Sequence, residues 1–378
     1  MASDLATQVL GGALKYTRAL RTAALRDRPI YAHWGITHRC DITCRMCGIW
    51  KHGNEDEELS LPEVARLADV LQELGVIQIS IGGGEPFCRR DLPEVIRILH
   101  SRGLNVRVLT NAMNLTEREI DAAVEAGLSA VSVSLDTLSK SKFGWICCDD
   151  GAWDKVVTNL VHFSEKLPRR GNILSINCVV SRDTLEGAPD LVEFAGKLGY
   201  FVSLIPVELA EDPHDNDNKF ITYQPRMRLT QDELLLVDTT YDRLVEMKRQ
   251  GANILVTTPY LESSRRYFKT GQFPLPCDAG RLYFSINPAG MLTICHRTNE
   301  HKSILDSDFT EYFRSPEYQA AAKAEADSCE GCVRPCWIDT GYMFKTAQGF
   351  VETGLLNMKI QRERHTLPLV EALACGRP

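Results

Sequence analysis

Cys40-Asp-Ile-Thr-Cys44-Arg-Met-Cys47 is the stretch on which the reading of this chain turns. It follows Ile30 to Thr37, an apolar run expected to form a strand, so three thiols stand in the loop after a first strand. Three thiolates within eight residues can converge on one metal cluster, whereas iron–sulfur clusters usually take four cysteines. The next cysteine is Cys88. A compact set of three points to a cubane with one iron left open. An open coordination position is where a small molecule binds, as in catalytic zinc sites. Zinc is the competing occupant: His38 is close enough in sequence to complete its ligands, although zinc knuckles favour two-residue spacings.

Working outward, strands and helices alternate to residue 206. Strands are expected at Ile30 to Thr37, Gln78 to Ile81, Val106 to Leu109, Val131 to Leu135, Leu174 to Val180 and Val202 to Pro206. Ser60-Leu-Pro-Glu63 is a capping box with proline in the first turn, and Gly75 follows that helix's end. Asp91 with Glu94, and Thr116 with Glu119, open two further helices, which stop at Gly103 and Gly127. Trp153 to Lys166 and Leu191 to Leu198 read as helical. Six strands alternating with helices imply a parallel sheet with right-handed crossovers, an α/β fold. A doubly wound sheet and a partial (β/α)6 TIM-like barrel both place reactive loops at the carboxyl ends of the strands.

Gly82-Gly83-Gly84-Glu85-Pro86 follows the second strand. The glycines let the backbone approach a ligand closely, Glu85 offers an acceptor to an ammonium group, and the spacing is not that of a phosphate loop. The cysteine set and this run together resemble the radical S-adenosylmethionine (SAM) superfamily: CxxxCxxC after the first strand and the GGEP motif at Gly83, Gly84, Glu85 and Pro86. The resemblance implies the partial barrel. It also implies a [4Fe–4S] cluster whose open iron binds the amino and carboxylate groups of SAM. One electron then cleaves the sulfonium to a 5′-deoxyadenosyl radical. It places Met46 at the adenine side, where many members have an aromatic residue. By the same resemblance Asn111 and Ser134, at the ends of the third and fourth strands, touch the ribose or methionyl part of SAM. Ordinary capping of strand-to-helix turns would account for these two equally.

Cys277 and Cys295 flank an expected hairpin, with a turn at Asn287-Pro-Ala-Gly290, and Cys329, Cys332 and Cys336 follow. This arrangement resembles the SPASM extension, or its shorter twitch form, which carries auxiliary clusters. It lacks the later five-residue gap and has no final cysteine unless Cys375 serves. The resemblance implies a second [4Fe–4S] cluster on Cys277, Cys295 and two of Cys329, Cys332 and Cys336. Structural zinc suits the same ligands. Cys88, Cys147, Cys148, Cys178 and Cys375 read as small hydrophobes.

The chain divides into an N-terminal extension (1–29), the barrel (30–206), a linker with an acidic lid and a helix (207–276), a cysteine-rich α+β module (277–340) and a C-terminal helix (341–378). The acidic stretch Glu208 to Arg228, with Asp212, Asp215 and Asp217, and the stretch Trp145 to Asp150 are candidate substrate loops. Helices are expected at Leu229 to Gln250 and Leu355 to Leu373. Residues 5–28 suggest a basic amphipathic helix, packed on the barrel or laid on a membrane surface. A net charge of -7 gives no pull toward nucleic acid. With neither a membrane-spanning run nor a signal peptide, the location is expected to be cytoplasmic. The partners are a small-molecule or peptide substrate and an electron donor such as flavodoxin or ferredoxin; the chemistry is oxidation, rearrangement or peptide modification. A two-cluster electron-transfer protein and a zinc-binding interaction protein are the alternatives. The glycine–glutamate run speaks against the first, because electron transfer needs no amino-acid clamp.

Overall fold

A computed structural model describes residues 28–53, 58–168, 170–212, 220–272, 277–295, 299–329, 331–362 and 364–378. The N-terminal amphipathic stretch, Asp215 and Asp217 lie outside the described residues. The alternation read from the sequence forms β1 (Tyr31–Thr37), α1 (Leu61–Leu74), β2 (Gln78–Gly83), α2 (Leu92–Ser101), β3 (Asn105–Thr110), α3 (Glu117–Glu125), β4 (Leu128–Ser134), α4 (Lys140–Cys147), α5 (Ala152–Lys166), β5 (Ile173–Val180), α6 (Ala188–Lys197) and β6 (Phe201–Pro206). Local chemistry sets the limits. The Ser60 amide donates to the Glu63 carboxylate at 2.8 Å, and Gly75 ends α1 with φ at 87°, a region that suits glycine. Thr116 and Glu119 cap α3 reciprocally. Asp91 precedes α2 without capping it through its side chain, because its carboxylate is taken by Arg89 at 2.7 Å.

The six strands lie side by side in chain order, all parallel, as a partial barrel. One face of each strand meets the helices through fully buried residues such as Trp34, Ile79, Val108, Val131 and Ile176. The other faces a polar bore, where His33, Ser80 and Arg107 stand at one level.

Beyond β6 come α7 (Leu234–Arg249) and α8 (Thr258–Thr270). They are followed by β7 (Tyr283–Ile286), β8 (Met291–Thr293), β9 (Glu300–Ser303), α9 (Phe309–Arg314), α10 (Pro316–Asp327), α11 (Pro335–Lys345), α12 (Ala347–Ile360) and α13 (Leu369–Leu373). The expected hairpin is β7–β8. It also continues the main sheet: β7 pairs parallel with β1, β8 antiparallel with β7 and β9 antiparallel with β8, giving nine strands among the described residues. Four differences from the sequence expectations are local. The helix expected over Leu229 to Gln250 begins at Leu234, after two turns. Where one helix was expected over Leu355 to Leu373, α12 ends at Ile360 and α13 restarts after Pro368, which supplies no amide to continue a helix. Trp145 lies in α4 rather than in a loop. Cys375 lies in a tail whose Arg377 bridges to Ser139 at the start of α4.

Trp337, the first large side chain of α11, seats the C-terminal half on the barrel. Its ring lies 6.1 Å from Tyr31, 6.2 Å from His33 and 5.1 Å from Tyr283, and it is 3% exposed. Trp337→Ala is expected to destabilise the chain by about 3–5 kcal/mol in denaturant unfolding and Trp337→Phe by clearly less; equal small losses would mean that this ring does not join the two halves.

Candidate functional site

The cysteine loop hangs over the carboxyl end of the barrel because two backbones come into contact there. Gly84 N–H donates to the Thr37 carbonyl at 2.7 Å and Glu85 N–H to the Arg39 carbonyl at 2.8 Å. A Cβ on Gly84 would stand 2.0 Å from the Arg39 oxygen, and one on Gly83, whose φ is 109°, 2.3 Å from the Thr37 oxygen. No other residue type fits at either position.

The loop is tied down on three further sides. Glu58 takes a bidentate bond from Arg39, at 2.8 and 2.9 Å, and one from the Thr37 hydroxyl. Asp41 accepts from Asn111 and Asn114, each at 2.8 Å. Arg45 donates through Nε to the Trp145 carbonyl at 2.9 Å and lies over the Trp145 ring, whose centroid is also 3.8 Å from the Arg226 guanidinium. Thr222 donates its hydroxyl to the Arg45 carbonyl. Near its C-terminal end the acidic segment after β6 therefore touches the cysteine loop through Thr222 and the neighbouring α4 through Arg226.

One cavity of about 280 Å³ opens beneath. Cys40, Met46, Glu85, Asn111 and Ser134 line it, together with Cys44, Cys47, Gly83 and Gly84. Pro86 is buried behind Glu85, in a short turn outside the lining. Glu85 is 1% exposed and accepts from the Thr110 hydroxyl at 2.8 Å, the Asn111 amide at 2.7 Å and the Phe87 amide at 3.2 Å. Burial outweighs these donors and pushes its carboxyl up to about 8. Sequence reading missed His33, Asp136 and Arg334, which also face the cavity; Cys336, expected as a ligand of the C-terminal cluster, faces it as well. Burial lowers His33 to about 4, with Arg334 adding to the effect, and raises Asp136 to about 7. The Ser-x-Ser-x-Asp ending of β4 carried a signal for Asp136; nothing local marks His33 or Arg334.

The donor chemistry of the sulfurs sorts the cysteines. Cys40, Cys47 and Cys277 accept from the amide two residues ahead, that of Ile42, Ile49 and Ala279 respectively. The amides of Gly331 and Arg334 reach Cys329 at 3.4 Å and Cys332 at 3.3 Å in the same way. Such turns suit thiolates and are a lever on iron–sulfur clusters. Cys178 and Cys375 instead donate, as thiols, to the carbonyls of Asp136 and Glu371. Cys277 lies within electrostatic reach of Cys329, and Cys332 of Cys277 and Cys336. Among the described residues, no three histidine, cysteine or acidic groups stand close enough for a single metal ion. A cubane takes one thiolate at each iron corner and so spreads its ligands. Both donor sets fit such a cluster. Burial pushes Cys40 up to about 12, so the ligands lose protons on metal binding rather than before it.

Gly84→Ala is expected to displace the Arg39 carbonyl and lower the midpoint of thermal unfolding, because the clash is with backbone. Gly103→Ala, where a Cβ meets nothing within 4 Å, is the control, bearing only its positive φ. A Gly84→Ala protein no less stable than Gly103→Ala would show that the two loops can separate freely.

Comparison with known proteins agrees with this geometry. The Radical SAM superfamily matches residues 34–195. A probable GTP 3′,8-cyclase from Archaeoglobus fulgidus is 37% identical over 125 residues, 33% of this chain and 41% of that protein. A PqqA peptide cyclase from Bradyrhizobium diazoefficiens is 26% identical over 300 residues, 76% of this chain and 71% of that protein. The chain thus spans less than half the length of the archaeal cyclase. Streptococcus suis SuiB, solved bound to the precursor peptide SuiA, superposes with a TM-score of 0.61 at 14% identity over 93% of this chain and 79% of its own. At that identity the likeness is one of fold. Strand order, cysteine loop, glycine–glutamate run and family match agree: residues 34–195 form a radical SAM domain.

Proposed function

We propose that the chain cleaves SAM reductively and uses the resulting radical to take a hydrogen atom from a peptide. The observation that carries this is the convergence of Cys40, Cys44, Cys47, Glu85, Asn111 and Ser134 on one cavity. A [4Fe–4S] cluster held by the three cysteines would supply the electron that breaks the sulfonium bond of SAM. The residues of the chain do the rest. Glu85 accepts a hydrogen bond from the amino group, and the bare backbone of Gly83 and Gly84 lets the amino acid lie close. Asn111 and Ser134 offer polar contacts at the neighbouring strand ends, and Met46 covers the adenine side. Ile42, Met113, Phe143 and Trp337 wall the cavity with apolar surface, which keeps water from a reactive carbon radical.

A peptide substrate is supported by what the relatives handle: the Bradyrhizobium protein is named a peptide cyclase, and SuiB was solved with a peptide. The cavity adds that Trp50, Phe220 and Arg334 stand on its wall, with Trp50 37% exposed. The C-terminal cysteines hold a second cluster, and a flavodoxin or ferredoxin delivers the electrons. Among the described residues no helix is long and apolar enough to cross a membrane.

Under dithionite, the anaerobically loaded chain is expected to convert SAM to 5′-deoxyadenosine, and Cys40→Ala/Cys44→Ala/Cys47→Ala to lose that activity and part of its iron. An iron-free protein after anaerobic reconstitution would leave the zinc reading standing. Iron without 5′-deoxyadenosine would leave an electron carrier.

SAM affinity carries its own signature. With Glu85 raised to about 8 in the free chain, its carboxyl must shed a proton at lower pH before it can accept from the SAM amino group. Affinity is therefore expected to strengthen as pH rises from 6 to 8 and then level off, as read by calorimetry. Glu85→Gln is expected to weaken binding about 10- to 100-fold and to flatten the pH profile. An unchanged profile in Glu85→Gln would remove the carboxylate from the clamp.

A further inference from the structure

Arg107 occupies the bore of the barrel. It is at one level with Ser80 of β2, and through Ser80 with His33 of β1. Its Nε donates to the Ser132 hydroxyl at 2.7 Å and its terminal nitrogen to the Ser175 hydroxyl at 2.8 Å. Those hydroxyls bond each other at 2.6 Å. Both partners are neutral, and among the described residues no carboxylate pairs with this guanidinium. Arginine keeps its charge at any physiological pH; Arg107 is half-buried in the bore, where a nearby counter-charge favours the folded state.

Two ionisable groups lie within electrostatic reach of Arg107: Tyr31 and Cys336. Burial drives the Tyr31 phenol well above its usual range, so it stays neutral. Cys336 enters from the other half of the chain. It lines the same cavity as Leu109 of β3, two residues beyond Arg107, and its neighbour Trp337 lies against Tyr31 and His33. The first turn of α11 thus dips into the bore beside the lone guanidinium. Arg334, also on the cavity wall, flanks Cys336 on the module side.

We propose that Arg107 is the interior counter-charge of a metal-bound Cys336 thiolate, which makes Cys336 one of the cysteines that hold the C-terminal cluster. The inference rests on the reading that this module binds a cluster. Arg107 touches neither SAM nor substrate; it is a positioning residue. Its charge binds the module to the barrel electrostatically and favours the cluster's reduced state, since net charge near a cluster sets its potential.

The test uses the full chain with Cys40, Cys44 and Cys47 changed to alanine, so that only C-terminal iron remains, and compares Arg107→Met, Arg107→Lys, Cys336→Ala and the Arg107→Met/Cys336→Ala double variant. Iron content, thermal midpoint and the cluster's reduction potential by EPR-monitored titration are the readouts. Arg107→Met is expected to move the potential to more negative values, and Arg107→Lys, which keeps the charge, to leave it close to that of the parent. Cys336→Ala is expected to lose iron and thermal stability, and adding Arg107→Met to it to recover part of that stability, because the charge left alone is gone. If Arg107→Met fails to fold on its own, the double variant measured against Cys336→Ala still decides: a higher midpoint in the double variant is expected, and an equal or lower one would overturn the role of Arg107. An unmoved potential, or additive losses in the double variant, would overturn the role of Arg107 while leaving the cluster in place. A parent without C-terminal iron would overturn the cluster reading itself, and this inference with it.

Discussion

Everything in this molecule depends on the contact between two backbones at the open end of the barrel. Where β2 ends, Gly84 and Glu85 donate to the carbonyls of Thr37 and Arg39, and the space between the chains admits no side chain. That contact fixes three cysteines above the strand ends and brings Glu85 under them. The remaining ties, Glu58 to Arg39 and Asp41 to Asn111, hold a loop that the glycines have already placed. A parallel barrel offers its strand carboxyl ends as a site in any case. The glycines turn that general property into a cavity bordered by the loop's three cysteines and a buried carboxyl group.

Much of this was readable in order along the chain. The six barrel strands and the helices between them follow from apolar runs, capping boxes at Ser60 and Thr116 and terminal glycines, all of which act within a few residues. The two motifs are contiguous as well. What local pattern could not carry is pairing between distant segments. Nothing in Tyr283 to Ile286 announces that this strand joins β1, more than two hundred residues earlier, in parallel. The helix that holds Trp145 is short and barely amphipathic, and so resembled a loop. Arg334 and Cys336 reach the cavity only because α11 docks across β1 and β7. Thr222, near the end of the acidic segment, touches the cysteine loop at Arg45, and Arg226 stacks on Trp145 of α4.

The cysteines show how far chemistry can sort what spacing leaves open. Five sulfurs accept an amide from two residues ahead, and each of them had been singled out as a ligand. Cys178 and Cys375 behave as ordinary thiols that donate to carbonyls. Spacing alone left Cys375 open as a late ligand; its position in the tail beside α4 places it on the outer face of the barrel. The two sets also meet, since Cys336 faces the cavity that the first three cysteines line.

The central claim is that the three N-terminal thiolates leave one iron open for SAM. The direct measurement is electron–nuclear double resonance on the reduced protein with SAM labelled at its amino nitrogen with 15N and at its carboxylate with 17O. Hyperfine coupling from both labels to the cluster, lost in Glu85→Gln or strongly reduced there, is the expected result. A reduced cluster that binds in the chain but shows no coupling to either label would mean that a protein side chain fills the fourth corner, and the account would be wrong at its root.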